Sequence, residues 1–186
     1  MRHDKIGWFD FDPDIDRRQE PTEAQALFLA GLRRRAESWG PRSEPDDTSA
    51  EFPSALHPDL LVTLGIHDPE RRWGGLIAGV HFDGAGIRCD EAPYPNSALA
   101  DPRTPLARDA TGTPAESAEQ AADWFEWMLR RPIDLHQWLH EGDVFAWACL
   151  ITDPKHDLNQ VYLHQQAPPG RQSFPVRTPD RVIHFG

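Results

Sequence analysis

The sequence predicts an α+β fold: a mainly antiparallel sheet of hairpins with one main helix packed on it. Three observations carry that expectation. Residues 113–131 read as a capped amphipathic helix closed by Pro132. An Asp-Gly pair at 83–84 and a Glu-Gly pair at 141–142 each separate two runs of strand-forming residues. Hairpins therefore precede and follow the helix without strand–helix–strand alternation, which disfavours a parallel sheet.

The chain opens on an aromatic-acidic lead over residues 1–16, where Ile6, Trp8 and Asp10 alternate with Gly7, Phe9 and Phe11 as in a short strand. An N-terminal helix is expected at about 22–39. Thr22 and Gln25 complete a capping box, Leu27, Phe28, Leu32 and Trp39 mark the buried side, and Gly40-Pro41 stops it. Arg33, Arg34 and Arg35 fall in its last turns, where they complement the helix dipole from solvent. Residues 41–54 are polar and aperiodic, a loop or linker. Residues 60–65 suit a short strand, and 76–82 with 85–89 suit a hairpin with Val80, Phe82, Ile87 and Cys89 facing inward. The connection at 90–112 carries prolines at 93, 95, 102 and 105, and loops of that length are often functional or disordered.

The main helix, 114–131, begins with Thr113 and Glu116 as a reciprocal cap and Pro114 at its first position, where a missing N–H is no loss. Ala118, Ala121, Ala122, Phe125, Met128 and Leu129 then form one apolar face, away from Glu119, Asp123 and Glu126. Strands at 133–140 and 144–152 should follow, joined by Glu141-Gly142-Asp143. If His140 pairs with Val144, one face holds Ile133, Leu135, Leu139, Phe145, Cys149 and Ile151 and should pack under the helix. The other sets Asp134, His136, Trp138 and His140 against Leu150, Ala148, Ala146 and Val144. A slip of one residue would exchange the faces. The tail adds strands at 160–164 and 182–185 around a proline-rich loop at about 165–181.

A chain of 186 residues is long enough for a real core, and a single domain spanning 1–186 is expected. Its 18 prolines and 13 glycines favour irregular connections over a helical bundle. No apolar run approaches the ~20 residues that span a bilayer, and the first residues have no hydrophobic export signal, so a cytoplasmic protein is expected. Cys89 and Cys149 are too few for a disulfide framework and read as buried free thiols. The net charge of −11 argues against nonspecific nucleic-acid binding and suits attraction of a basic protein partner.

The run Ala122-Asp123-Trp124-Phe125-Glu126, followed by Leu129-Arg130-Arg131-Pro132-Ile133, resembles a helix-to-strand signature in small, uncharacterised acidic proteins of GC-rich bacteria. The resemblance covers residues 122–133 and implies an α+β fold. It implies no activity and no functional residues.

Asp10, Asp12, Asp14 and Asp16 alternate as hard-cation ligands can. The EF-hand pattern fails, because Ile15 stands at its glycine and Pro21 at its closing glutamate. Phosphotransfer enzymes of the haloacid-dehalogenase type also use Asp-x-Asp, but Pro13 and Asp14 follow here where threonine or valine would be required. His136 and His140 would share a helical face; on a strand they lie about 13 Å apart and cannot ligate one ion. Gln137 also replaces the glutamate of a zincin motif. No nucleophile elbow or phosphate loop is present. Trp127 falls opposite the buried side of the helix, where it suits either an interface or packing under the N-terminal aromatics.

These readings lead to a non-enzymatic acidic protein-binding protein: an inhibitor, an immunity-type protein or an accessory subunit. Its contact face is expected at His136, Trp138 and His140, with Trp127; no catalytic residue, metal or cofactor is expected. Two alternatives stay open. One is a metal-dependent hydrolase or phosphotransfer enzyme using Asp10, Asp12 and Asp14; the other is a structural, self-associating protein.

Overall fold

The computed structural model describes residues 7–11, 19–39, 43–53, 59–67, 74–92, 98–152, 155–170, 173–175 and 177–185. The fold is α+β with antiparallel sheets, and it divides into two compact units, Met1–Leu129 and Arg130–Gly186.

In the first unit, β1 (Thr48–Glu51), β2 (Leu60–His67), β3 (Gly74–Phe82), β4 (Gly86–Glu91) and β5 (Arg108–Thr111) form a five-stranded sheet in chain order. Every neighbouring pair is antiparallel. The expected hairpin forms around Asp83-Gly84, whose carboxylate Oδ1 accepts from the amides of Ala85 and Gly86 at 2.8 Å each. Val80 pairs with Cys89 and Phe82 with Ile87, and all four are buried.

Helix α1 (Glu23–Ala36) has its Thr22–Gln25 capping box. It ends three residues before the expected Trp39, because Ser38 and Trp39 donate back to Arg35 and Ala36 in a tightened last turn. Its buried residues are Phe28, Leu29, Leu32 and Ala36. Leu27, expected inside, is 54% exposed, since its neighbours at 28 and 29 take the core stripe. Phe28 stacks on Phe82 with ring centroids 4.4 Å apart, which sets α1 on the sheet.

Helix α2 (Pro114–Leu129) buries the whole expected apolar face and Trp124 as well. It stops at Leu129 rather than 131, because a residue preceding proline, here Arg131, is pushed out of the helical region. The two helices pack on each other, and α2 lies against β3, β4 and β5. A Cβ on Gly31 would stand 2.8 Å from Cβ of Ala118, so glycine permits the close helix approach. Beside that contact, Arg35 reaches Glu119 at 2.6 Å, Asp123 at 2.9 Å and Glu126 at 2.6 Å. Arg34 adds Glu119 at 2.8 Å. Arg35, expected to stay solvated, therefore joins the helices, while Arg34 keeps most of its side chain in solvent.

Segments read as loops contain ordered elements. Residues 41–54 include a 3-10 turn (Pro45–Asp47) and edge strand β1. Their polar side chains leave no periodicity to read, yet the backbone pairs with β2. The 90–112 connection is anchored by Asp90, fully buried, which accepts from the amides of Glu91 and Thr104 and from the Thr104 hydroxyl. Trp124 Nε1 donates to the Leu106 carbonyl at 3.0 Å and ties the same connection to α2. At the N-terminus, residues 7–11 form a turn rather than the expected strand, with one parallel bridge between Phe11 and Ala50. Phe9 is buried there against Trp39 and Phe125.

In the second unit, β6 (Ile133–His140), β7 (Asp143–Thr152), β8 (Lys155–Tyr162) and β9 (Arg181–Phe185) form an antiparallel sheet in the order β8-β7-β6-β9. The expected register holds from Ile133↔Ile151 to Trp138↔Ala146. The turn differs. It has two residues, Glu141 at φ 53° and Gly142 at φ 97°, the positive-φ pair of a tight hairpin, so His140 pairs with Asp143. A bulge around Phe145 then absorbs the offset and returns the strand to the register its apolar face requires. Tail residues 165–181, read as loop, begin within a short 3-10 turn (His164–Gln166) and end at the first residue of β9.

Candidate functional site

The face of the second sheet that carries Asp134, His136 and Trp138 is partly roofed by the tail. Trp138 is 5% exposed, packs edge-on to Phe174 at 4.9 Å between centroids, and donates from Nε1 to the Arg177 carbonyl at 2.9 Å. With Phe145, Ala146 and Ala148 it forms a small core, and Leu150, Ala167 and Phe174 close around it. The tail is held from its far end by Asp180. Its amide donates to the Gln137 carbonyl, and its carboxylate accepts from the Leu139 amide at 2.8 Å. That hydrogen bond from the Leu139 amide, helped by Arg177, holds the Asp180 carboxyl below the usual carboxylate range.

Between the pinned tail and the strands lies an open groove of about 500 Å³. Its floor and walls include Leu150, Phe174 and Pro179, and its polar rim is His136, Asp157, Arg177 and Thr178. Trp138, Ala148 and Pro175 also line it and are themselves buried. The groove is preformed: strand pairing sets one wall, and the Asp180 contacts set the other.

The four residues expected at a contact face occupy different settings. His136 lines the groove, half-buried, with its ring 6.3 Å from that of Trp138. Trp138 lies nearly buried at the floor. His140 sits at the hairpin end beside Asp143 and does not line the groove. Trp127 belongs to the first unit, where the Arg108 guanidinium lies over its ring at 5.6 Å. Trp8 and Phe9 pack on Trp39, Phe9 also stacks on Phe125, and Phe11 stacks on Phe52. Sequence reasoning missed the tail wall entirely. Its only signals were the Phe174-Pro175 pair inside a polar stretch and the charge pair Arg177–Asp180 at three-residue spacing.

A second cavity, about 200 Å³, lies in the first unit at the Asp83 hairpin. Its charged groups are engaged by side chains or by the turn backbone. Arg88 Nη2 is 3.1 Å from Asp59 and 3.2 Å from His81 Nδ1, so one guanidinium donates to both. Asp109 takes Arg103 at 2.5 Å, and Asp83 caps its own turn. These contacts tie strands together.

Asp10, from the acidic lead, is bound by Arg33 at 3.2 Å, and that arginine also donates to the carbonyls of Trp8 and Phe9. Asp12, Asp14 and Asp16 lie outside the described residues, and no cation-holding group of three His, Cys, Asp or Glu side chains occurs among those described. Both cysteines are buried and free, and burial pushes the Cys89 thiol up to about 12, which keeps it protonated and inert as a nucleophile. No helix among the described residues is long and apolar enough to cross a membrane. No protein-family model, curated protein or solved structure matches the chain, so the site is read from its own geometry.

Proposed function

We propose that this is a non-enzymatic binding protein that recognises another protein through the groove of residues 130–186. One observation carries the reading: the groove is preformed and floored by apolar side chains, yet it is largely open to solvent. Small-molecule sites usually bury 70–90% of their ligand. An open trough with a polar rim instead suits side chains projecting from a larger surface. The net charge of −11 supports a basic partner, whose approach the acidic field would steer. Two buried thiols without a disulfide fit a reducing compartment, and we place the protein in the cytoplasm.

Thr178 is exposed on the groove wall, so Thr178→Trp adds bulk to the groove without removing any core contact. Affinity capture from the native cell, with the parent and this variant as parallel baits, tests the proposal. A protein captured by the parent and lost from an equally stable variant supports the groove as the contact site. Identical capture by both baits overturns it.

A further inference from the structure

We propose that the groove receives a cationic side chain, arginine or lysine, from its partner, with the charged head at Asp157. The inference rests on the groove being the contact site. It comes from the charges around it. Arg177 is closed by Asp180 in a two-pronged pair at 3.0 and 2.8 Å. Asp134, on the same sheet face, is engaged by His184 at 2.7 Å. Asp157 lines the groove opposite Leu150 and has no ion-pair partner among the described residues. Lys155, two positions earlier on β8, makes no ion pair with it. Among the described residues, then, Asp157 is the one groove-lining carboxylate without an ion pair, beside an apolar floor.

That combination matches a long cationic side chain, which lays its methylene stem along apolar surface and keeps its head among polar groups. Leu150 lies between Asp157 on β8 and Asp134 on β6 as their shared cross-strand neighbour, so a stem crossing Leu150 runs straight to the Asp157 carboxylate. Half-buried Phe174 and Pro179 face it from the tail. An anionic ligand fits poorly, because its natural receptor, Arg177, already has both terminal nitrogens on Asp180. The chain-wide charge of −11 favours the same sign of partner at long range.

The test uses the full chain at low salt with two capped tripeptide probes, Gly-Arg-Gly and its neutral citrulline analogue. Binding is followed by NMR at the Trp138 indole and at the Leu150 and Asp157 amides. The arginine probe should shift these signals saturably and bind roughly three- to fivefold more tightly than citrulline, the size of a solvent-facing ion pair. Asp157→Asn should erase that preference, while Asp143→Asn, at the distant hairpin turn, should leave it. Equal binding of the two probes, no shift with either at millimolar concentration, or a preference that survives Asp157→Asn overturns the inference. The two proposals separate in the capture experiment. A partner lost with Thr178→Trp but kept at full affinity by Asp157→Asn leaves the groove reading standing and removes the cation reading. A dimer of this chain that Thr178→Trp dissociates makes a second copy the occupant and overturns the cationic assignment.

Discussion

Residues 1–129 and 130–186 handle charge in opposite ways. The first unit carries 24 acidic against 13 basic side chains, and therefore the whole net charge of −11; the second carries six of each and five of the nine histidines. The acidic unit nevertheless spends its best-placed carboxylates internally, on Arg33, Arg35, Arg88 and Arg103. In the neutral unit Asp157, beside an apolar trough, has no ion-pair partner among the described residues. Net charge and binding chemistry are thus separable: the first sets a field that reaches about 8 Å at physiological ionic strength, and the second is a matter of which charges lack a partner.

The units also differ in what anchors them, and the largest predicted effect tests this. Phe125 is fully buried in the first unit, against Phe9, Trp39 and Trp124. Phe125→Ala should cost ~3–5 kcal/mol, read from denaturant or thermal unfolding. A cost below ~1 kcal/mol would mean that the aromatic cluster repacks and is not the anchor.

In the second unit the comparable residue is Trp138, which is both core and groove floor. Trp138→Ala should cost about 3 kcal/mol and loosen the tail wall. Trp138→Phe keeps the ring contact with Phe174 but loses the bond to the Arg177 carbonyl, and should cost only about 1 kcal/mol. If alanine is tolerated with an unchanged melting temperature, Trp138 is a surface residue after all, and a direct role in partner contact regains weight.

The sequence made the helices, both hairpins and most of one register legible because their signals are local. Thr22–Gln25 and Thr113–Glu116 cap within one turn, and Pro132 stops the second helix whatever packs beside it. The register survived even a wrong turn length, since a bulge near Phe145 restored the pairing that buries Leu135, Cys149 and Ile151. What stayed hidden depends on distant partners. Arg35 meets three carboxylates 84 to 91 residues away, and nothing in its neighbourhood marks it as more than a dipole residue. Strand β1 is polar and short, with its pairing partners on β2 rather than in its own pattern. Half the candidate site was visible, as His136 and Trp138 on a strand face. The other half, the tail wall and Asp157, required knowing that Asp180 fastens the tail to Leu139 and that β8 extends back to Lys155.

The smallest predicted effect concerns the charges that the acidic unit spends. The Arg35 guanidinium holds the Glu119 carboxyl below its usual range, and its own proton is held correspondingly tighter. A carboxyl whose folded value is depressed contributes stability that is fully present above the unfolded value, about 4. That contribution fades as pH falls through the folded value, so acid should weaken this network first. Arg35→Ala removes the hub and leaves Glu119, Asp123 and Glu126 facing the same gap. Because these groups are partly exposed, the cost at neutral pH should be only ~1–2 kcal/mol. Melting temperatures of parent and variant, followed from pH 7 down to about pH 3, should converge, since protonated carboxylates no longer need the cation. An offset that persists undiminished at the acid end would show that Arg35 stabilises by packing its stem between the helices, and that the acidic unit's charges are less engaged than the contrast with Asp157 requires.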